Sequence, residues 1–106
     1  MKGQSPPNAT HIVETYVILC CLLPGGVFYS YNKPNSLCTV DDLKVIFEQY
    51  DIHAVNGPLR IIAEMGEHSQ MDKKSLDFLK NHEVDAICEA VVIEGLAQRL
   101  LLNSWF

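Results

Sequence analysis

The chain has 106 residues, of which 48% are hydrophobic and 20% charged, a balance that suits one globular domain with its own core and excludes a disordered chain. Its net charge of −5 and its scattered lysines and arginines argue against nucleic acid or an anionic membrane surface as a partner, since both need a basic stripe.

The first ten residues, with Pro6-Pro7 and Asn8, are polar and read as a flexible N-terminal arm, leaving 11–106 as a single domain. His11 to Leu23 is rich in β-branched and aromatic residues and reads as one strand. Its apolar stretch, Tyr16 to Leu23, is too short to cross a bilayer, and no small-residue cleavage site follows it, so it does not read as a signal peptide. Pro24-Gly25-Gly26 marks a turn, and Val27 to Tyr31 reads as the second strand of an antiparallel hairpin. Asn32 to Ser36, with Pro34, closes the unit.

Thr39 followed by Asp42 gives a helix start, and Asp41 and Asp42 suit the positive end of the helix dipole. Val40, Leu43, Ile46, Phe47 and Tyr50 then fall on one helical face, until Asn56-Gly57-Pro58 ends the element. Leu59 to Met65 is the next strand and Gly66 to Met71 a loop. Asp72 caps a second helix running to about His82. Ala86 to Ile93, broken only by Glu89, reads as an interior strand, and Leu96 to Phe106 as a third helix. The predicted order is β-β-α-β-α-β-α. That is an α/β fold: a mixed sheet of about four strands, an N-terminal antiparallel hairpin followed by right-handed parallel crossovers, with helices largely on one face. No internal repeat is legible.

Cys20, Cys21, Cys38 and Cys88 form no C-x-x-C pair. They read as small core residues in a reducing, cytoplasmic compartment. No motif for a cofactor or a metal stands out, and Glu67-His68 lacks the H-E-x-x-H spacing.

The densest polar cluster follows the strand Leu59 to Met65, where parallel sheets tend to bind ligands. It comprises Glu67 and His68 with Glu64, Ser69, Asp72 and the more distant His82, and Lys73, Lys74 and Ser75 at the following helix start are further candidates. Lys73 and Lys74 oppose the helix dipole by a few tenths of a kcal/mol. With free backbone N–H groups they could hold an anion, although two exposed lysines balancing Asp72 and Asp77 is the simpler reading. Ser69 and Ser75 are alternative phosphate acceptors, with Ser75 also readable as a structural helix-start serine. No nucleophile–base pair and no glycine-rich phosphate loop is present, so the chain reads as a non-enzyme.

The stretch Arg60-Ile61-Ile62-Ala63-Glu64-Met65-Gly66, with Met71-Asp72-Lys73-Lys74-Ser75-Leu76 after it, resembles the STAS-like domain of anti-sigma-factor antagonists and sulfate-transporter tails. The Val27-Phe28-Tyr29-Ser30-Tyr31 strand and the Thr39-Val40-Asp41-Asp42 helix start resemble a divergent group of uncharacterised bacterial STAS-like proteins. In signalling members the first serine after the aspartate is phosphorylated. Here Lys73 stands at that place, and Ser75 where a small glycine would be. The resemblance implies a non-catalytic regulatory or protein-interaction module with a protein partner, not phosphorylated at the usual position. The family usually continues with another strand and helix, whereas this chain stops at Trp105-Phe106. A bare sheet edge and an apolar last helix would favour a homodimer. A small-ligand domain, for a lipid or nucleotide bound near Glu64 to Lys74, is the alternative. An enzyme of unknown class ranks third.

Overall fold

The computed structural model of the chain describes residues 8–82, 86 and 88–92. Seven strands and two helices occur among them: β1 (Thr10–Glu14), β2 (Ile18–Leu23), β3 (Val27–Asn32), β4 (Leu37–Cys38), α1 (Val40–His53), β5 (Arg60–Met65), β6 (Gln70–Met71), α2 (Lys73–Asn81) and β7 (Cys88–Val92). The main sheet has the order β1-β2-β3-β5-β7. β1, β2 and β3 are antiparallel neighbours; β5 joins β3, and β7 joins β5, in parallel. The α/β class and the mixed sheet are therefore as the sequence predicts.

The expected single strand from His11 to Leu23 is instead two strands. Thr15 makes the break: its hydroxyl oxygen accepts bonds from the backbone N–H groups of Val17 and Ile18, both at 3.1 Å, and so folds a turn without glycine or proline. β1 thereby becomes an edge strand. It carries a bulge between Thr10 and Val13, and His11 has a left-handed φ of 52°. Both features interrupt the row of backbone groups that an open edge offers to another chain. The expected helix Leu96 to Phe106, and with it the apolar terminus behind the homodimer expectation, lies outside the described residues, as does most of the expected arm.

Each helix starts where the sequence places it. The Thr39 backbone N–H and hydroxyl both donate to the Asp42 carboxylate, at 2.9 and 3.0 Å. The Asp72 carboxylate accepts from the backbone N–H of Ser75 at 2.8 Å. These bonds satisfy groups that the helix interior leaves open.

Alternation along β2 and β3 puts apolar residues on both faces of the sheet. Ile18, Cys20 and Phe28 face the helices and pack with Leu43 and Tyr50 of α1. Leu19, Cys21, Tyr29 and Tyr31 form a second buried cluster on the opposite face, with Leu23 and Ile62. Full burial of a side chain such as Phe28 contributes about 1.5–3 kcal/mol. The Tyr50 ring also meets Phe28 edge-on at 5.6 Å, while its hydroxyl accepts the Leu59 N–H at 3.0 Å, which pins α1 to the entrance of β5.

The backbone contains a repeat that the sequence hides. Val27 pairs with Arg60, Asn32 with Met65, Leu37 with Gln70 and Cys38 with Met71, a constant offset of 33 positions (27 to 60, 38 to 71). The N-caps Thr39 and Asp72, and the left-handed residues Asn35 and His68, keep the same offset. Two units of strand, turn, short strand, cap and helix thus stack side by side. Matching positions share few residue types, Ser36 with Ser69 and Leu43 with Leu76 among them, so the repeat lies in hydrogen bonding and backbone shape rather than in composition.

Candidate functional site

The stacked units bring their two turns together where β3 and β5 end. Gly66 N–H donates to the Asn32 carbonyl (2.7 Å), Asn35 N–H to the Glu67 carbonyl (3.0 Å), and Gln70 N–H to the Ser36 carbonyl (2.9 Å). Within the turns, Ser36 hydroxyl donates to the Lys33 carbonyl (2.7 Å) and Ser69 N–H to the Gly66 carbonyl (3.1 Å). Only glycine fits at position 66. A Cβ there would lie 2.7 Å from the Tyr31 hydroxyl, 2.8 Å from the Asn32 carbonyl oxygen and 2.8 Å from Pro34 N. The result is a rigid platform of two laced turns, continued by the small β4–β6 ladder.

The candidate residues divide into three groups on this platform. Glu67, His68, Lys73 and Lys74 are exposed. Glu67 and His68 sit 3.3 Å apart in solvent, a pairing worth little energy and charged on both sides only when the imidazole is protonated. Asp72, Ser75 and Ser69 are engaged in the framework. Ser75 is fully buried and Ser69 is 1% exposed. The Ser75 hydroxyl lies 2.6 Å from the Asp72 carboxylate and 3.0 Å from the Cys38 carbonyl. Bonds from the Ser75 side chain, then from its backbone, hold the Asp72 carboxyl below the usual carboxylate range. Phosphorylating Ser75 would require the start of α2 to open first.

Glu64 stands apart from these seven. It is 5% exposed and belongs to the sheet face away from the helices, where it accepts a bond from the Tyr29 hydroxyl at 3.2 Å. Burial pushes the Tyr29 phenol pKa up, and the Glu64 charge pushes it further. The side chains at 64 and 67 therefore belong to different parts of the protein, although they are neighbours in sequence.

Asn32, which the sequence reading treats only as a turn residue, is the unusual group at this end of the sheet. Its side chain is 7% exposed, and among the described residues neither amide atom has a hydrogen-bond partner. Buried polar groups are normally paired, so such an amide opposes folding. Nothing in the local sequence marks it: the burial comes from the sheet, where Asn32 pairs with Ile18 of β2 and Met65 of β5.

Burial keeps the thiols of Cys20, Cys21 and Cys38 protonated at neutral pH. Burial raises Cys20 to about 11 and Cys38 to about 12, and it raises Cys21 as well. Among the described residues, no group of three or more His, Cys, Asp or Glu converges as metal ligands. No helix among them is long and apolar enough to cross a membrane.

The class defined by this architecture is an α/β protein with a mixed sheet and a polar platform at the C-terminal ends of its parallel strands. No family model, curated protein or solved structure matches the chain.

Proposed function

We propose that this protein is a non-catalytic recognition module of STAS-like type that binds a protein partner through the exposed rim of the β3–β5 platform. The observation that carries this reading is the division of labour among the candidate residues. The groups with chemical potential, Asp72 and Ser75, are engaged in helix capping, and Ser69 is buried. The exposed groups are charged or polar: Glu67 and His68 stand on a turn held by cross-turn hydrogen bonds, and Lys73 and Lys74 on the capped first turn of α2. A pre-organised charged rim favours selective docking, because little ordering entropy is lost on binding. Lys73 supplies a permanent cation at the position where the resembling signalling domains carry a phosphorylatable serine.

The test is a paired capture from extracts of the source organism. Wild-type protein should retain a stoichiometric protein partner, and Lys73→Glu/Lys74→Glu, folded by circular dichroism, should lose it. Equal retention by both would remove the rim from the interface. A turnover activity abolished by His68→Ala would replace the reading with an enzyme.

A small-ligand domain is the second reading, and the unpartnered amide of Asn32 favours it. A small molecule of stoichiometric mass, released on denaturation of the purified protein and absent from Asn32→Leu, would put that reading first.

A further inference from the structure

The two stacked units differ in helix length. α1 has 14 residues and α2 has nine. At 1.5 Å per residue, α2 stops about 7.5 Å short of its neighbour. Among the described residues, the last turns of α1 consequently have no partner on the α2 side. Ile52, in the last turn of α1 and beside Phe78 and His82 in one surface depression, is 53% exposed. Between the helices runs a groove of about 470 Å3. Its floor is apolar and aromatic: Phe47, Ile52 and Phe78, with the His82 ring stacked on Phe47 at 4.2 Å and 11°. Its rim on α1 carries Lys44 at one end, then Glu48 and Asp51.

We infer that this groove is a docking site for a basic amphipathic helix of a partner protein. Two features select the occupant. The α1 wall runs from Lys44 to Ile52, a span of about 12 Å or two helical turns, which matches apolar anchors at i, i+3, i+4 and i+7 of an incoming helix. The charge on the α1 side of the open end is negative, while α2 carries Lys80 in its last turn. Glu48 and Asp51 line that side, the C-terminal ends of both α1 and α2 lie at the open end, and each contributes the negative pole of its dipole. The net charge of −5 steers cations toward the protein in general, and these groups focus that attraction on the groove. A helix with lysines flanking its apolar stripe satisfies both features, whereas an acidic helix meets like charge. This surface is separate from the Lys73 rim, so the two can fail independently.

Two synthetic peptides of equal length test the inference, one with leucines at i, i+3, i+4 and i+7 among lysines, the other with the same leucines among glutamates. Titration followed by NMR should show the lysine peptide binding at least about tenfold tighter, with the shifts concentrated at Phe47, Ile52 and Phe78. Glu48→Lys/Asp51→Lys changes exposed residues and places cations favourably near a helix C-terminus, so its fold should persist while the preference inverts toward the glutamate peptide. Ile52→Asp should weaken the lysine peptide about tenfold or more. Equal binding of both peptides by wild-type protein, shifts located elsewhere, or an uninverted preference in the double variant would overturn the inference. So would a doubled mass in light scattering that falls to the monomer value in Ile52→Asp, because the occupant would then be a second copy of the chain.

Discussion

The Ser75 hydroxyl lies 3.0 Å from the Cys38 carbonyl oxygen, which ties the first turn of α2 to the short strand that leads into α1. The same hydroxyl lies 2.6 Å from the Asp72 cap, so its one proton serves a three-centre contact at the centre of the stacked repeat. Ser75→Ala leaves the Cys38 carbonyl without this partner in a fully buried place. The expected cost is about 1–3 kcal/mol, read as a lower urea midpoint at unchanged slope. An unchanged midpoint would mean that the hydroxyl contributes nothing to joining the units.

Gly66→Ala forces a methyl group against two backbone atoms and one side-chain oxygen at 2.7–2.8 Å. The Tyr31 side chain can move aside, but the Asn32 carbonyl and Pro34 nitrogen are held by the laced turns. A loss of about 1–3 kcal/mol in thermal or urea unfolding is expected. Full stability in the alanine variant would show that the turns are looser than their hydrogen bonds imply.

Asn32→Leu keeps the branching of the side chain and removes two unpaired polar atoms from a buried position. Stability should rise, by about 1–3 kcal/mol. A fall would reveal that the amide has a partner, such as a bound water or a ligand, and would strengthen the small-ligand reading.

The buried thiols set the alkaline limit. Cys20 and Cys38 have their pKa values raised from 9.0 to about 11 and about 12, so the unfolded chain loses these protons first as pH rises. Their contribution is complete below about pH 9 and is lost between there and about pH 12. Iodoacetamide at pH 8 should leave Cys20, Cys21 and Cys38 unmodified in native protein and label all three in urea, as read by mass spectrometry. Rapid labelling of native Cys38 would contradict its burial.

His53 sets an acid limit. Its ring meets that of His11 at 4.8 Å, its Nε2 is buried with no partner among the described residues, and burial, then the neighbouring His11, lower its pKa from the ordinary 6.5. The unfolded chain therefore takes up a proton at a higher pH than the folded one. Stability from this site is present above pH 6.5 and falls as pH drops through that value toward the folded pKa. His53→Phe should flatten the urea midpoint between about pH 7.5 and about pH 5.5, and amide exchange in β1 should slow at the acid end. The same pH dependence in the variant would assign it to other groups.

Much of the local structure follows from sequence alone. Thr39 and Asp72 mark the helix starts because each is a short polar residue placed just before an apolar run of helical period, where the open N–H groups of a first turn need acceptors. Pro24-Gly25-Gly26 marks the β2–β3 turn, since Gly25 and Gly26 adopt the positive φ values of 84° and 74° that other residues avoid. The α/β class follows from the alternation of strand and helix runs. Tertiary structure decided the rest, because it depends on groups far apart in sequence. Thr15 splits the first strand through a turn that the apolar run on its C-terminal side conceals. The repeat at 27–53 and 60–81 rests on interstrand pairing, which many residue types can satisfy. Glu64 and Glu67 part company because β5 ends at Met65: Glu64 is still a strand residue on the sheet face away from the helices, whereas Glu67 lies in the exposed turn beyond Gly66. The α1–α2 groove exists because one helix outruns the other, a difference in length that acquires meaning only once the two are side by side.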